Sequence, residues 1–231
     1  IARYQLAASL YRLGRHKEAL EQSRINFESA MKRGDYQATG NIIDVWARST
    51  NGDIPEEIIE NELARDLADS QRMSQVLLAK GVREYYQDRF AEAVQSFSRA
   101  ISVAEDTRVS NTYVSPAYPW RCTAMRRLLE TSVPRSAQRR RKAIGELGRA
   151  TKSAVKVSKQ FTNEIPHAYR ERGAYLALAG KLRASRVCFQ KSLQVAESQG
   201  VVVAHAKTMI LFAEYAAEFG WPIDSDAIEE A

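Results

Sequence analysis

The chain has 231 residues, 45% of them hydrophobic, enough for one sizeable core or a long layered one. Its 11 Gly and 6 Pro are few for that length, Ala, Leu, Glu, Arg and Lys are plentiful, and no run alternates apolar and polar residues between turn signals, which excludes a sheet protein. No apolar stretch approaches the ~20 residues that cross a bilayer, no secretory signal opens the chain, and the net charge of +6 keeps anionic partners in question.

The opening "IARYQLAASLYRLG" starts at Ile1 already in helical register, and residues 2–13 and 16–33 read as a first helical pair. Residues 36–49 and 54–68 form the next, divided by "TNGD", with Pro55 followed by Glu56 and Glu57 as a helix opening. The carboxylates Glu56, Glu57, Glu60 and Glu62 read as an exposed helix start that complements the helix dipole. Residues 70–87 and 89–106 form the third pair, 116–131 and 135–161 the fourth, 165–179 and 182–199 the fifth, and 201–219 begins a sixth. "TRVSNTYVSPAYPW" interrupts the series, so residues 107–119 are expected to be a non-helical break, because proline disfavours helical geometry in the residue before it. Its aromatics predict a packed connection, with a partner-docking loop as the functional alternative. The closing "SDAIEEA" reads as a helix just capped at Asp224 or Ser225. With both ends in mid-pattern, the sequence predicts a piece of a longer polypeptide forming a single domain over residues 1–231.

The turns between paired helices can be aligned. "YRLGRHKEALEQS" places Gly14 before Ala19, "YYQDRFAEAVQSFSRAI" places Asp88 before Ala93, and "LALAGKLRASRVCFQKSL" places Gly180 before Ser185. Phe97 and Phe189 follow at matching places, as do Ala100 and Ser192, while Gly81 and Gly173 precede their turns by the same interval. This pattern resembles the tetratricopeptide repeat, a helix–turn–helix unit. The family's small first-helix residue matches Ala7, Gly81 and Gly173, its turn glycine matches Gly14 and Gly180 with Asp88 a departure, and its later aromatic fails at Ser23. The resemblance implies an all-α fold: a right-handed superhelix, or solenoid, of about six degenerate hairpins whose apolar faces are buried against their neighbours. A globular helical bundle is the structural alternative. In that family the first helix of each pair lines a concave groove. The residues mapped there are Tyr4, Tyr11, Arg12, Val82, Tyr85, Tyr86 and Arg170, with inter-repeat packing as the competing role for the tyrosines.

Between Arg121 and Lys159 twelve basic residues face only Glu130 and Glu146, so the rest of the chain is net acidic. The densest run is Arg139, Arg140, Arg141 and Lys142. Ala143, Leu147, Ala150, Ala154, Val157 and Phe161 recur at three- and four-residue steps, which predicts one buried stripe with the basic residues mostly elsewhere. Nucleic acid is one partner for such a surface. The absence of a reading helix, zinc spacing or aromatic-rich sheet points instead to a solvated face or an acidic protein partner.

Catalytic patterns are lacking. His16, His167 and His205 lie far from one another and from Cys122 and Cys188, with no metal-ligand spacing, and no phosphate-binding loop, nucleophile elbow or kinase catalytic loop is found. The two separated cysteines predict reduced, packed thiols, as in a cytoplasmic protein. No enzyme activity, cofactor or metal is expected of these residues.

Three stretches, "NTYVSPAYPWRCTAMRR", "QFTNEIPHAYRERGAYLALAGK" and "ASRVCFQKSLQVAESQG", carry a narrower likeness through Asn111, Tyr113, Pro116, Pro119, Trp120, Asn163, Pro166 and His167. Over roughly residues 107–220 the chain is similar to the helical repeat region of very large bacterial signalling proteins. In these a kinase-like domain and an AAA-type ATPase precede the repeats, and a GAF domain with a histidine kinase or cyclase can follow. The resemblance implies a regulatory scaffold that binds a protein, a peptide or its own neighbouring domains. Similar repeats in ATPase-linked transcription activators, and a free-standing adaptor, are the rival readings.

Overall fold

Helix-forming runs separated by short turns leave each helix to bury its apolar face against other helices of the chain. The computed structural model describes residues 2–65, 68–132 and 136–221, so the expected cap at Asp224 or Ser225 lies outside the described residues. Among them are eleven α-helices and no strand: α1 Ala2–Arg12, α2 His16–Arg33, α3 Tyr36–Ser49, α4 Glu56–Ala64, α5 Ser70–Tyr86, α6 Phe90–Asp106, α7 Ala117–Thr131, α8 Ala137–Ser158, α9 Ile165–Leu178, α10 Leu182–Ser198 and α11 Val202–Phe219. Asp35, Asp69 and Ser136 cap α3, α5 and α8, each side chain accepting a hydrogen bond from a first-turn N–H, at Ala38, Arg72 and Arg139. None of the helices is long and apolar enough to cross a membrane.

The contacts divide the chain into two compact units, Ile1–Leu128 and Leu129–Ala231. In the first, α1 packs on α2 and α3, α3 on α2 and α5, α4 on α5, and α5 on α6. In the second, α9 packs on α8, α10 and α11, and α10 on α11.

The three aligned turns share one backbone geometry. Gly14, Asp88 and Gly180 all have positive φ, at 78, 57 and 73°. In each, the next N–H reaches back to close the helix end: Arg15 to the Leu10 carbonyl at 2.9 Å, Arg89 to Glu84 at 3.0 Å and Lys181 to Leu176 at 2.8 Å. The second helices stop in the same way at Gly34, Arg108 and Gly200, again at positive φ, and the interval from turn to stop is identical in all three pairs. Asp88, the departure from glycine, therefore adopts the backbone that glycine takes at the other two turns.

Paired helices cross where a side chain is missing. Gly81 in α5 faces Phe97 in α6, and a Cβ on Gly81 would lie 2.5 Å from the ring; the Gly173–Phe189 crossing of α9 and α10 is the same contact at 3.0 Å. Both rings are fully buried. Each then meets an aromatic of the following helix, Phe97 meeting Trp120 at 6.1 Å between centroids and Phe189 meeting Phe212 at 5.5 Å. At the far end of each hairpin a serine closes the pair. The Ser74 hydroxyl donates to the Ala100 carbonyl (3.0 Å), and in the matching hairpin the donor sits on the opposite helix, Ser192 donating to Pro166 (2.6 Å).

The connection before α7 is shorter than the sequence pattern predicts. Residues 107–116 are non-helical, but α7 starts at Ala117 and includes Pro119 in its first turn, where a helix has no use for the missing N–H. α4 is also shorter than the expected 54–68; it ends at Ala64.

Because Phe97 is enclosed on both sides, Gly81→Ala is expected to lower stability by about 1–3 kcal/mol through overpacking. Gly173→Ala, with its wider gap, is expected to cost less. Urea midpoints of the two variants check the order.

Candidate functional site

Helices α1, α3 and α5 bring polar side chains together in the first unit. Tyr4 of α1, Gln37, Ala38 and Asn41 of α3, and Gln71 and Gln75 of α5 line a recess of about 360 Å³, joined by Asn26, Asp35 and Tyr113. Five of these side chains are carboxamides. Each offers a donor pair and an acceptor, so the lining is rich in neutral hydrogen-bonding groups. The Asn41 Oδ1 is buried and accepts no hydrogen bond, which leaves an unmatched acceptor on a lining residue.

One wall is supplied by the connection before α7. Asn111 Oδ1 accepts from the N–H groups of Tyr113 (2.9 Å) and Val114 (3.3 Å), which folds the segment into a tight turn. Asn111 Nδ2 then donates to Gln71 Oε1 at 2.7 Å, and Gln5 Nε2 donates to the Tyr113 hydroxyl at 2.8 Å. The Tyr113 ring stands edge-on to Tyr4, with centroids 5.0 Å apart. Tyr113, the aromatic of this connection, is thus packed against α1, and Asn111 ties the connection to α5.

Beneath the recess lies a buried charge. Asp44 is fully buried and paired with Arg48 one turn on. It also accepts from the Tyr4 hydroxyl and from Gln75 Nε2, both at 3.3 Å. Burial pushes the Asp44 carboxyl above its ordinary range despite the Arg48 charge, and burial together with Asp44 pushes the Tyr4 phenol well up. The Arg48 guanidinium in turn covers the Tyr11 ring at 5.1 Å. Tyr4 and Tyr11 are therefore joined through Asp44 and Arg48.

A second buried ion pair holds α3, α4 and α5. The Arg72 side chain is fully buried; its Nη2 donates to Glu62 Oε2 at 2.9 Å and to the Glu62 carbonyl, and its Nε to the Tyr36 carbonyl at 3.1 Å. Thr39 donates to the other Glu62 oxygen at 2.8 Å. The arginine passes over Gly40, where a Cβ would lie 2.5 Å from its Cγ. Glu62 thus departs from the exposed helix start expected of it: only 1% of it is exposed, because Arg72 draws it inward, while Glu60 and Glu56 reach the α5 cations Lys80 and Arg83.

The remaining sequence-derived positions fall in several places. Val82 is fully buried and presents no surface. Tyr85 and Tyr86 are half-buried in an aromatic cluster, both against Trp120, with Tyr85 also against Phe90. Arg12 is half-buried at the end of α1. Arg170, in the second unit, is buried beside Glu171, its Nε 3.3 Å from that carboxylate. Arg139, Arg140, Arg141 and Lys142 are all exposed. Of the groove residues, only Tyr4 lines the recess. The carboxamides beside it escaped sequence reasoning because Asn and Gln on a helix carry no motif; their spacing of four, at Gln37–Asn41 and Gln71–Gln75, is the one signal that places each pair on a common face.

In the second unit Lys207 of α11 is largely buried and close enough to Arg170 to feel its charge. Burial and that like charge lower its amine to about 8. Among the described residues no group of three or more His, Cys, Asp or Glu side chains is arranged to hold a metal ion. His16 is engaged with the Ser49 carbonyl at 3.1 Å and the Tyr11 ring, and His167 lies 3.9 Å from Glu171.

Arg72→Ala is expected to cost about 3 kcal/mol, since Glu62 keeps only its pair with Arg65 (3.0 Å) and the Thr39 hydroxyl while the Tyr36 carbonyl loses its arginine donor, and the double change Arg72→Met with Glu62→Leu restores much of the loss; chemical denaturation measures both. The folded-state amine of Lys207 is lowered, so the unfolded chain binds the proton more tightly, and its contribution to stability rises as pH climbs from about 8 toward 10.5. Lys207→Met is expected to be more stable than wild type near neutral pH and to lose that rise, as read from thermal midpoints across the interval. Comparison of the chain with protein-family models, curated proteins and solved structures yields no match.

Proposed function

We propose that this chain is a non-catalytic, tetratricopeptide-like scaffold that binds a segment of protein, and that it serves as a regulatory section of a multidomain signalling ATPase or kinase. The observation that carries the reading is the carboxamide-lined recess on the first helices of three consecutive hairpins. An extended peptide presents alternating N–H and C=O groups, and Asn and Gln side chains answer both without a charge of their own. The Tyr4 and Tyr113 rings add contact area at low entropic cost. The repeated backbone geometry of the turns and the repeated Gly–Phe crossings support a degenerate repeat stacked as a superhelix. Cys122, buried, and Cys188, half-buried, form no disulfide among the described residues, which favours a reducing, cytoplasmic setting. A free-standing adaptor and the repeat section of an ATPase-linked transcription activator would use the same recess and differ in what flanks it.

Selection from a random-peptide display library on the full 231-residue chain is expected to yield binders that lose about tenfold in affinity on Asn41→Ala or Gln71→Ala. Binders indifferent to both changes would sink the recess as the site. Blotting source-cell extract with an antibody to the chain separates the larger readings: a band several times 26.0 kDa is expected for a multidomain signalling protein, and a band near 26.0 kDa leaves the free adaptor.

A further inference from the structure

The outward side of α8 carries a feature that its own fold does not use. The helix buries Leu147, Ala150, Thr151, Ala154 and Ser158, so one stripe faces inward. On the opposite side Lys142, Arg149, Lys152, Lys156 and Lys159 recur at steps that keep them in one line, and all five are exposed. The line runs for about 26 Å along the helix axis. None of the five makes an ion pair among the described residues, and Glu146 is the one acid within the helix.

Gly145 lies in the middle of this line, between Lys142 and Arg149. Glycine is among the poorest helix formers, and it is usually kept inside a helix where something packs too closely for a side chain. Gly81, Gly148 and Gly173 have such neighbours, at 2.5, 2.7 and 3.0 Å. A Cβ on Gly145 would meet nothing within 4 Å. The fold bears the cost of this glycine without an internal reason, and the result is a notch in the centre of a cationic face.

We infer that α8 docks an acidic helix of a partner protein, whose carboxylates pair with the basic line while an apolar side chain enters the notch at Gly145. Charge selects an anionic partner, and the notch selects among anions. A phosphate would find no donor there, because backbone N–H groups inside a helix are already bonded to the preceding turn. No aromatic side chain stands in the basic line to stack a base, and no apolar residue stands in it to enter a bilayer. A helix presenting a side chain into a gap on its neighbour is the ordinary mode of helix packing. Docking on α8 is independent of the recess in the first unit and stands or falls without it.

The test uses the full chain and a fluorescein-labelled helical peptide bearing Glu at i, i+3, i+4 and i+7 with one central Leu, followed by anisotropy. Binding that weakens with salt is expected, as is a loss of about tenfold for the pair Lys152→Glu and Lys156→Glu. Gly145→Gln is expected to weaken binding several-fold while raising the thermal midpoint, because glutamine is the better helix former; unfolding cannot then explain the loss. Failure of the peptide to bind overturns the inference, as does binding unchanged by Gly145→Gln. Tighter binding of single-stranded RNA, duplex DNA or anionic vesicles than of the peptide also overturns it, and would reassign the face to that class of anion.

Discussion

The architecture of each unit depends on how closely two consecutive helices can approach. Where Gly81 and Gly173 omit a side chain, Phe97 and Phe189 fill the space, and each ring is then held by an aromatic of the following helix. A ring locked on both sides ties the two helices of a pair and joins the pair to the next helix. Protein interiors pack about as densely as organic crystals, so an added methyl group at such a point costs stability. The left-handed residues at the turns follow from the same demand: a chain that must reverse within two residues and lie close to itself needs a backbone that few side chains accept.

Onto that frame the first unit adds buried charge. Arg72 with Glu62 and Asp44 with Arg48 lie under and beside the recess, each pair enclosed and supplemented by hydrogen bonds from backbone or neutral side chains. Such pairs contribute little net stability compared with apolar residues of equal size. They do set geometry. Arg72 can satisfy Tyr36 and Glu62 together only if α3, α4 and α5 keep one register. The recess inherits that register, because Gln37 and Asn41 ride on α3 and Gln71 and Gln75 on α5. The second unit uses its charge differently, with an acid-poor outer face on α8 and a lysine amine lowered to about 8 by burial and the neighbouring Arg170.

Much of the helical order was legible in the chain itself. Helix periods, the "TNGD" turn, the glycines of two paired turns and the aromatic beyond each crossing are local signals, written in residues a few positions apart, and the helices lie close to where those signals put them. The site was far less legible. The groove analogy points to Tyr4, which lines the recess, but Asn41, Gln71 and Tyr113 beside it are distant in sequence and ordinary in kind. The groove analogy puts Val82 on the same face, yet it lies in the core, since a one-residue rotation of a helix by about 100° is enough to exchange the two.

Glu62 shows the division most plainly. Four carboxylates in seven residues look alike as a sequence, and three of them do remain in or near solvent. The fourth is buried because an arginine from another helix arrives at hydrogen-bond distance, which no local pattern records. The sequence by itself determined the all-helical character, the turns, the small-residue crossings and the concentration of positive charge between Arg121 and Lys159, because propensity, periodicity and charge are properties of neighbours along the chain. Tertiary structure alone decided which charges are buried, which carboxamides share a recess and which glycine has an empty space beside it, because those depend on what other helices bring to the same place.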